Sequence, residues 1–151
     1  MIIFASEDVG NADPRALAVA VNADAAFQRL GMPEGLYAMG QAVTYLACAP
    51  KSNASGGAWQ AARRAVREHG ALPVPMKLRN APTKLMKEMG YGAGYRYAHD
   101  EGGYAAGETY LPDALVGSRF YTPSQNGLEA RISEHLERLR KQRGKPRSGE
   151  G

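Results

Sequence analysis

Basic and tyrosine side chains are interleaved over residues 76–97, and these are the residue types in the chain best suited to chemistry. The candidate residues are Lys77, Arg79, Lys84, Lys87, Tyr91, Tyr95, Arg96 and Tyr97, and Glu88 is the only acidic residue among them. Lysine and arginine can neutralise phosphates, and tyrosine rings offer stacking faces to unpaired bases. The pattern indicates a candidate nucleic-acid contact. A solvated basic helix beside tyrosines that pin a glycine-rich loop stays open as the structural alternative.

A nucleotide site would require a glycine-rich loop followed by lysine and Ser or Thr, so that backbone donors and an ammonium group surround the phosphates. Residues 90–94 read Gly-Tyr-Gly-Ala-Gly, but no lysine follows them and the segment before them is predicted as a short helix. We therefore expect no cofactor in this chain.

The remaining reactive side chains are scattered. His69, His99 and His135 lie far apart and lack partners at ligand spacing, so no metal site is predicted. His99 is followed by two acidic residues, but no nucleophile is adjacent, and a histidine hydrogen-bonded to a loop carboxylate is the expected arrangement. Cys48 ends an apolar helical face and is expected to be a buried, inert thiol. The sequence thus predicts no catalytic residue.

The composition is that of an ordinary globular protein. The chain has 151 residues, of which 44% are hydrophobic and 23% charged, and its formal net charge is +4. This charge is compatible with a polyanionic partner without requiring one. A single cysteine excludes a disulfide framework within the chain and fits a reducing compartment. With no apolar stretch long enough for a membrane span, a cytoplasmic location is expected.

Helical periodicity dominates the first 70 residues. A helix is predicted from Asp13-Pro14 to Gly31, because Asp13 can cap its first turn and Gly31 can end it. A second is predicted over residues 34–49, and Leu36, Met39, Val43, Leu46 and Ala47 share one apolar face of it. The sequence leaves open whether such a face is core or intersubunit surface. A third begins after a Ser52 or Asn53 cap and ends before Gly70. In the first helix Leu17 and Val21 widen the apolar arc.

The pattern changes after Gly70. A short helix is predicted over residues 84–89, and residues 90–123 form a Gly- and Tyr-rich irregular segment in which either a short strand pair or an ordered loop is expected. The last helix starts at a capping box of Asn126 and Glu129, and residues 144–151 form a disordered basic tail. Residues 1–5 begin inside a helix, which suggests a piece of a longer protein. The prediction is an all-α helical bundle over residues 1–143.

Several strings, in order along the chain, resemble one known family. They are SEDVGNADPRAL (6–17), LACAPKSNA (46–54), PVPMKLRNAPTKLMKEMGYGAGYRYAHD (73–100), YLPDAL (110–115) and RFYTPSQNGLEARI (119–132). They are similar to replication-associated recombination protein A, whose eukaryotic relative is the Werner-helicase-interacting ATPase. The resemblance covers nearly everything from residue 2 to about residue 140. Residues 55–57, Ser-Gly-Gly, depart from it and put the start of the third helix in doubt.

The resemblance implies a C-terminal domain related to the collar of clamp loaders, which mediates homotetramer formation. It implies a parent protein with an N-terminal AAA+ motor that holds ATP and magnesium and acts as a DNA-dependent ATPase at stalled replication forks, in replication, recombination and repair. Single-strand DNA-binding protein is the implied partner, and a nucleoid-associated cytoplasmic location follows. The chain itself would be an oligomerisation domain without catalytic residues; a DNA- or partner-protein-binding module centred on residues 76–97 is the alternative.

Overall fold

The computed structural model describes residues 1–101, 105 and 107–143, and every regular element in those residues is helical. The α-helices are α1 (Ile2–Phe4), α2 (Arg15–Leu30), α3 (Gly35–Cys48), α4 (Ala54–His69), α5 (Lys84–Glu88) and α6 (Leu128–Arg143). The all-α prediction is confirmed. No helix among the described residues combines the length and apolarity that crossing a bilayer requires.

The chain divides into two compact units. Unit 1 comprises Met1–Arg63 and Phe120–His135, and unit 2 comprises Arg64–Arg119 and Leu136–Gly151. The basic tail expected over residues 144–151 lies outside the described residues. The single domain expected over residues 1–143 stays a prediction.

The predicted helix boundaries in unit 1 are confirmed within one or two residues. The Asp13 carboxylate accepts a hydrogen bond from the Arg15 backbone N–H at 3.2 Å. Ser52 Oγ accepts one from the Ala54 N–H at 3.2 Å, so α4 starts immediately before the Ser-Gly-Gly segment that leaves its start in doubt from sequence. Gly31 ends α2 with a positive φ of 67°, which only glycine adopts without strain.

The core of unit 1 is built mainly from alanines. A π-helical turn over Ala5–Val9 packs on the crossing of α2 and α3, and the buried cluster is Ala5, Val9, Ala16, Ala20, Leu46 and Ala49. Phe4 and Tyr45 pack against its edge. Alanine has no side-chain bulk beyond Cβ, so the backbones of α2 and α3 can approach closely. The consequence is a small buried apolar area, and area removed from water sets the hydrophobic stabilisation.

The apolar faces that the sequence indicates on α2 and α3 are only partly buried. On α3 the buried residues are Gly35, Ala42 and Leu46, whereas Leu36 and Val43 are 48% and 54% exposed. On α2 the buried residues are all alanines, and Leu17 and Val21 lie at the surface. Each of these large residues directly follows a buried small one in the sequence, so its side chain is rotated by roughly 100° around the helix axis. Size alone does not indicate burial on these two helices, because their close packing buries mostly small residues, with Leu46 as the exception.

The capping box predicted at the start of α6 is also wrong in its details. The Glu129 carboxylate does not reach back to Asn126; it accepts from the Ser124 backbone N–H at 2.8 Å. The Asn126 side-chain amide instead donates to the Lys51 carbonyl at 2.8 Å. Glu129 turns inward because hydroxyl donors from two other segments meet it there, and its exposed fraction is 0%.

Between α4 and α6, the described residues of unit 2 contain little regular structure. Thr83 caps α5, at the predicted start of that helix, by accepting from the Met86 N–H at 3.3 Å. Single 3-10 turns occur at Met76–Leu78, Ala98–Glu101 and Asp113–Leu115. Among the described residues of the 90–123 segment no strand is formed, so the ordered loop is the correct alternative there.

Candidate functional site

In unit 2, Lys77 and Arg96 are held by Glu108, an acidic residue that no sequence motif marks. The Lys77 ammonium group donates to the Glu108 carboxylate, and Arg96 Nη1 lies 3.5 Å from the other Glu108 oxygen. The Lys77 ammonium also lies 5.7 Å from the Tyr110 ring centroid. The hydrogen bond from Lys77 leads the effects that lower the pKa of Glu108 below its ordinary value. These two candidate cations therefore bind the irregular segment 90–123 through Glu108.

Arg79 and Tyr91 pair with each other. The guanidinium carbon of Arg79 lies 5.2 Å from the Tyr91 ring centroid, and Arg79 Nη1 donates to the tyrosine hydroxyl at 3.3 Å. Arg79 Nε also donates to the Val74 carbonyl at 2.7 Å. Stacking and both hydrogen bonds fix this side chain in place, so it too has a structural use within unit 2.

The remaining four candidates present their side chains to solvent. The Lys84 side chain is 92% exposed and makes only a long, 3.9 Å contact with Glu88. Lys87 is exposed, and Tyr95 and Tyr97 are each about half exposed. Tyr97 additionally faces the ring of His99, with 5.0 Å between the centroids. The predicted set of eight therefore divides into Lys77, Arg79, Tyr91 and Arg96, which are engaged within unit 2, and these four.

Unit 1 carries an unusual surface. Its buried hydrophobic residues are seven alanines with Val9 and Leu46, while many of its large apolar side chains are exposed. We call the exposed set the outer apolar surface; it consists of Leu17, Val21, Leu30, Met32, Leu36, Tyr37, Val43 and Trp59. Large aliphatic side chains are normally among the most buried in globular proteins. Extended exposed apolar surface marks interaction sites.

Helix α3 shows the same imbalance along its whole length. No residue of Gly35–Cys48 is charged, so the helix is apolar or neutral on every face. Leu36, Gly40, Val43 and Ala47 follow one another at helical spacing as an exposed stripe. A helix that is apolar all round is normally buried all round. This absence of charge is the sequence signal for an outward-facing apolar surface, although the apolar stripe by itself equally suggests a core.

A cleft of about 450 Å³ lies in unit 1, where the starts of α2 and α6 meet the end of α3. We call it the Arg15–Arg131 cleft; it is lined by Ala12, Asp13, Pro14, Arg15, Pro50, Gly127, Leu128 and Arg131. Arg15 is fixed by Asp13, with Nε at 2.9 Å and Nη2 at 3.2 Å from the two carboxylate oxygens. Arg131 is exposed, and no partner is found for it within the described part of the chain.

Electrostatics make the Arg15–Arg131 cleft cationic. Asp13 also accepts from the Tyr45 hydroxyl at 2.5 Å, and the hydrogen bond from Arg15 is the leading cause of its lowered pKa. Asp13 is thus committed to holding Arg15, whose side chain is 79% exposed. Two guanidinium groups face one carboxylate, and the N-terminal ends of α2 and α6 add partial positive charge. The apolar floor and cationic rim suit an anionic group next to an apolar one.

Glu129 is the most buried ionisable residue of unit 1. It accepts from Ser52 Oγ at 2.5 Å and from the Tyr121 hydroxyl at 2.6 Å, in addition to the Ser124 N–H. Burial raises the pKa of Glu129, but these hydrogen bonds outweigh burial and hold the pKa below its ordinary value. The carboxylate has three donors and no room for a substrate, so its role is to join segments.

Cys48 is exposed, so the prediction of a buried thiol is wrong. It follows the buried Leu46 by two residues, or roughly 200° around the helix, and therefore points away from the core. Within the described part of the chain, no three His, Cys, Asp or Glu side chains are grouped to hold a metal ion.

Comparison with known proteins identifies the family of this chain. The model of a family described as "MgsA AAA+ ATPase C terminal" matches residues 1–140. This chain belongs to that family of AAA+ ATPase C-terminal domains.

Several curated relatives share most of the chain. The replication-associated recombination protein A of Coxiella burnetii is 57% identical over 93% of this chain, and that of Escherichia coli K12 is 56% identical over the same share. The ATPase WRNIP1 of Dictyostelium discoideum is 42% identical over 80% of this chain and 14% of its own length. The resemblance noted from the sequence is confirmed. The chain spans 32% of the length of the two bacterial relatives.

Proposed function

We propose that this chain is the self-assembly domain of a larger AAA+ ATPase and forms a homotetramer. The observation that carries the proposal is the inverted burial in unit 1, where alanines fill the core and the large apolar side chains form the outer apolar surface. Packing copies of the chain together would remove this surface from water. Each stable interface would need to bury more than roughly 1,000 Å².

The charge-free helix α3 supports the same proposal. A helix without charge is costly to leave solvated on its apolar faces and is readily accommodated between subunits, where interface centres are depleted of charged residues. Leu36 and Val43 lie on one exposed stripe of this helix, so a single face can contribute both to one contact.

Assembly would bring the ATPase motors of several chains together. In this proposal ATP and magnesium bind in the motor and not in this domain, which is not catalytic. The names of the relatives favour a role in DNA replication and recombination. We include DNA repair in the proposed role. Several motors on a shared centre gain a high effective concentration on DNA without any new contact. Single-strand DNA-binding protein and a nucleoid-associated cytoplasmic setting belong to the same proposal.

The test is the solution mass of the 151-residue chain, measured by light scattering over a range of concentrations. The expected mass is that of four chains. Replacing both Leu36 and Val43 with Glu should shift the chain toward the monomer, because two carboxylates would have to be desolvated in the contact. Gln41→Glu, on a different, exposed face of α3, is the matched control and should leave the mass unchanged. A wild-type monomer at all concentrations overturns the proposal.

The second candidate function is nucleic-acid binding by unit 2. The observation that favours it is the solvent exposure of Lys84, Lys87, Tyr95 and Tyr97, two cations and two stacking faces. A partner protein is the other occupant that this surface could take. The engaged residues Lys77, Arg79, Tyr91 and Arg96 would then shape the loop rather than touch the ligand.

Its test compares two double variants in binding to single-stranded DNA at several salt concentrations. Replacing Lys84 and Lys87 with Ala should weaken binding and reduce the salt slope by about one for each phosphate that the variant no longer neutralises. Replacing Arg29 and Arg64 with Ala removes the same charge from other exposed positions and should have a smaller effect. Equal losses of affinity in both variants would indicate nonspecific attraction, and unchanged binding in the first would exclude this surface.

A further inference from the structure

Helix α2 has a different surface at each of its ends. Its first residue, Arg15, lines the Arg15–Arg131 cleft, and its last residue, Leu30, begins the turn into α3. The helix has 16 residues, which corresponds to about 24 Å at about 1.5 Å per residue. The turn therefore cannot reach the cleft of its own chain along this helix. Both surfaces belong to unit 1.

The turn between α2 and α3 presents apolar side chains around an acid. We call it the hairpin tip; it consists of Leu30, Met32, Glu34 and Tyr37, all of them exposed. Met32 is 67% exposed and Tyr37 82%. Arg29, in the last turn of α2, is exposed as well, so the tip carries one base beside its acid. Exposed aromatic and methionine side chains are typical anchors of protein interfaces.

The cleft and the tip are chemically complementary. The cleft offers an apolar floor from Pro50 and Leu128, among others, and a rim with Arg15 and Arg131. The tip offers apolar side chains for such a floor and a carboxylate, that of Glu34, for such a rim. Arginine binds carboxylates through paired N–H donors, and this geometry adds specificity as well as energy.

We infer that copies of this chain associate head to tail, with the hairpin tip of one copy seated in the Arg15–Arg131 cleft of the next. This inference rests on the self-assembly proposed above and names the two surfaces that would meet. Glu34 of one copy pairs with Arg131 of the next and with the solvent-exposed part of its Arg15 guanidinium. Met32 and Tyr37 cover the apolar floor of the cleft.

Head-to-tail contact has a consequence for the assembly. Because the tip and the cleft are different surfaces, every copy uses one of each, and repetition of the contact closes into a ring when the rotation between copies allows it. The exposed stripe of α3 begins at Leu36, within the same turn of the helix as Tyr37, so it would flank the contact and enlarge it. A ring of four satisfies every tip and every cleft.

The decisive experiment mixes two variants of the 151-residue chain. Glu34→Arg blocks the tip by setting a cation against the cleft, and Arg131→Glu blocks the cleft. Each variant alone should be shifted to the monomer, with the dissociation constant for self-association raised by roughly thirtyfold or more, because like charges meet in the contact. An equal mixture should regain assembly, because the intact tip of Arg131→Glu fits the intact cleft of Glu34→Arg and the two reversed charges also attract each other. Mass is measured by analytical ultracentrifugation.

Matched controls separate the contact from general charge effects. Arg29→Ala removes the base beside the tip. Assembly should stay as strong or become stronger, because the variant tip no longer brings a positive charge close to the cationic cleft of the next copy. Arg64→Glu repeats the charge reversal of Arg131→Glu on an exposed position of α4. Met32→Arg blocks the tip in a second way. All these side chains are exposed, and circular dichroism checks that each variant keeps its helices.

These measurements distinguish a wrong head-to-tail contact from a failure of self-assembly itself. If the wild-type chain assembles but Glu34→Arg and Arg131→Glu assemble equally well, the head-to-tail contact is wrong and self-assembly stands. A mixture that stays monomeric also overturns the contact. If the wild-type chain is a monomer, the proposed function fails and this inference with it.

Discussion

Ser52 Oγ donates to Glu129 Oε2 at 2.5 Å and thereby joins two residues that lie 77 positions apart. The same serine accepts from the Ala54 N–H, so the group that caps α4 also binds the start of α6. Tyr121 adds its hydroxyl at 2.6 Å and is itself within 3.4 Å of the Asn11 amide. One buried carboxylate therefore connects the cap of α4, the segment before α6 and the turn before α2.

Replacing Glu129 with Ala should be among the most destabilising single changes in unit 1. It leaves the hydroxyls of Ser52 and Tyr121 and the Ser124 N–H without their acceptor, and unsatisfied buried donors cost about 1–3 kcal/mol each. We expect a loss of roughly 3 kcal/mol or more in the free energy of unfolding, measured by chemical denaturation. Glu134→Ala, an exposed acid on the same helix, is the control and should change little. Equal effects from the two would show that Glu129 is not a structural centre.

Acid should weaken unit 1 partly through the same carboxylate. The pKa of Glu129 is held below its ordinary value of 4.5 in the folded state. Its contribution is therefore complete above the unfolded pKa and is lost as the pH falls through the lower, folded pKa. Asp13 and Glu108 have lowered pKa values as well, so the wild type loses stability from several groups.

Glu129→Gln isolates this one titration. The variant is expected to be less stable at neutral pH but to show a shallower decline of unfolding free energy between about pH 5 and pH 3, on the order of one titrating group fewer. Parallel curves for the variant and the wild type would mean that Glu129 binds protons equally well in both states.

The helices were predictable because their signals are local. Asp13 and Ser52 are side-chain caps, Gly31 is a stop with positive φ, and each acts within a few residues of its own position. The family resemblance was equally accessible, since the strings that carry it are contiguous. The helix boundaries and the family resemblance can both be recognised from residues that are close together in the sequence.

The candidate site was less predictable because its chemistry depends on distant partners. Glu108 lies 31 residues from Lys77, and no periodicity relates the two. Which apolar faces are buried could not be predicted, for a different physical reason. A stripe of large apolar residues looks the same in a core and on an interface, and only the packing of alanines at the α2–α3 crossing decided that Leu36 and Val43 face outward.

Gly127 should tolerate no side chain. A Cβ there would lie 2.1 Å from the Ala12 carbonyl oxygen and 2.7 Å from Pro50 Cγ, and φ is +54°. Gly127→Ala is expected to lower the unfolding free energy by more than about 1 kcal/mol, through the clash and the strained backbone together. Gly57→Ala, in α4 with open space at its Cβ position, should instead stabilise by up to about 1 kcal/mol. Thermal unfolding of both variants should show a lower Tm for Gly127→Ala and a higher Tm for Gly57→Ala than for the wild type.

Cys48 should react with a thiol reagent in the native protein. Its side chain is exposed at the end of α3, so no unfolding is needed for access. We expect complete labelling by a maleimide without denaturant, at a rate close to that of the same chain in denaturant. Slow native labelling at high protein concentration that becomes fast on dilution would instead place Cys48 inside an intersubunit contact.

Lys77 and Lys84 should respond differently to the same substitution. Lys77 is partly buried against Glu108, so Lys77→Ala leaves that carboxylate with one cation fewer in a poorly solvated place. A decrease of about 1–2 kcal/mol in unfolding free energy is expected, and Arg96 limits it to that range. Lys84 makes one exposed pair with Glu88, and such pairs contribute about 0.3–0.5 kcal/mol. Chemical denaturation should therefore separate the two variants, whereas equal decreases would mean that Glu108 does not depend on Lys77.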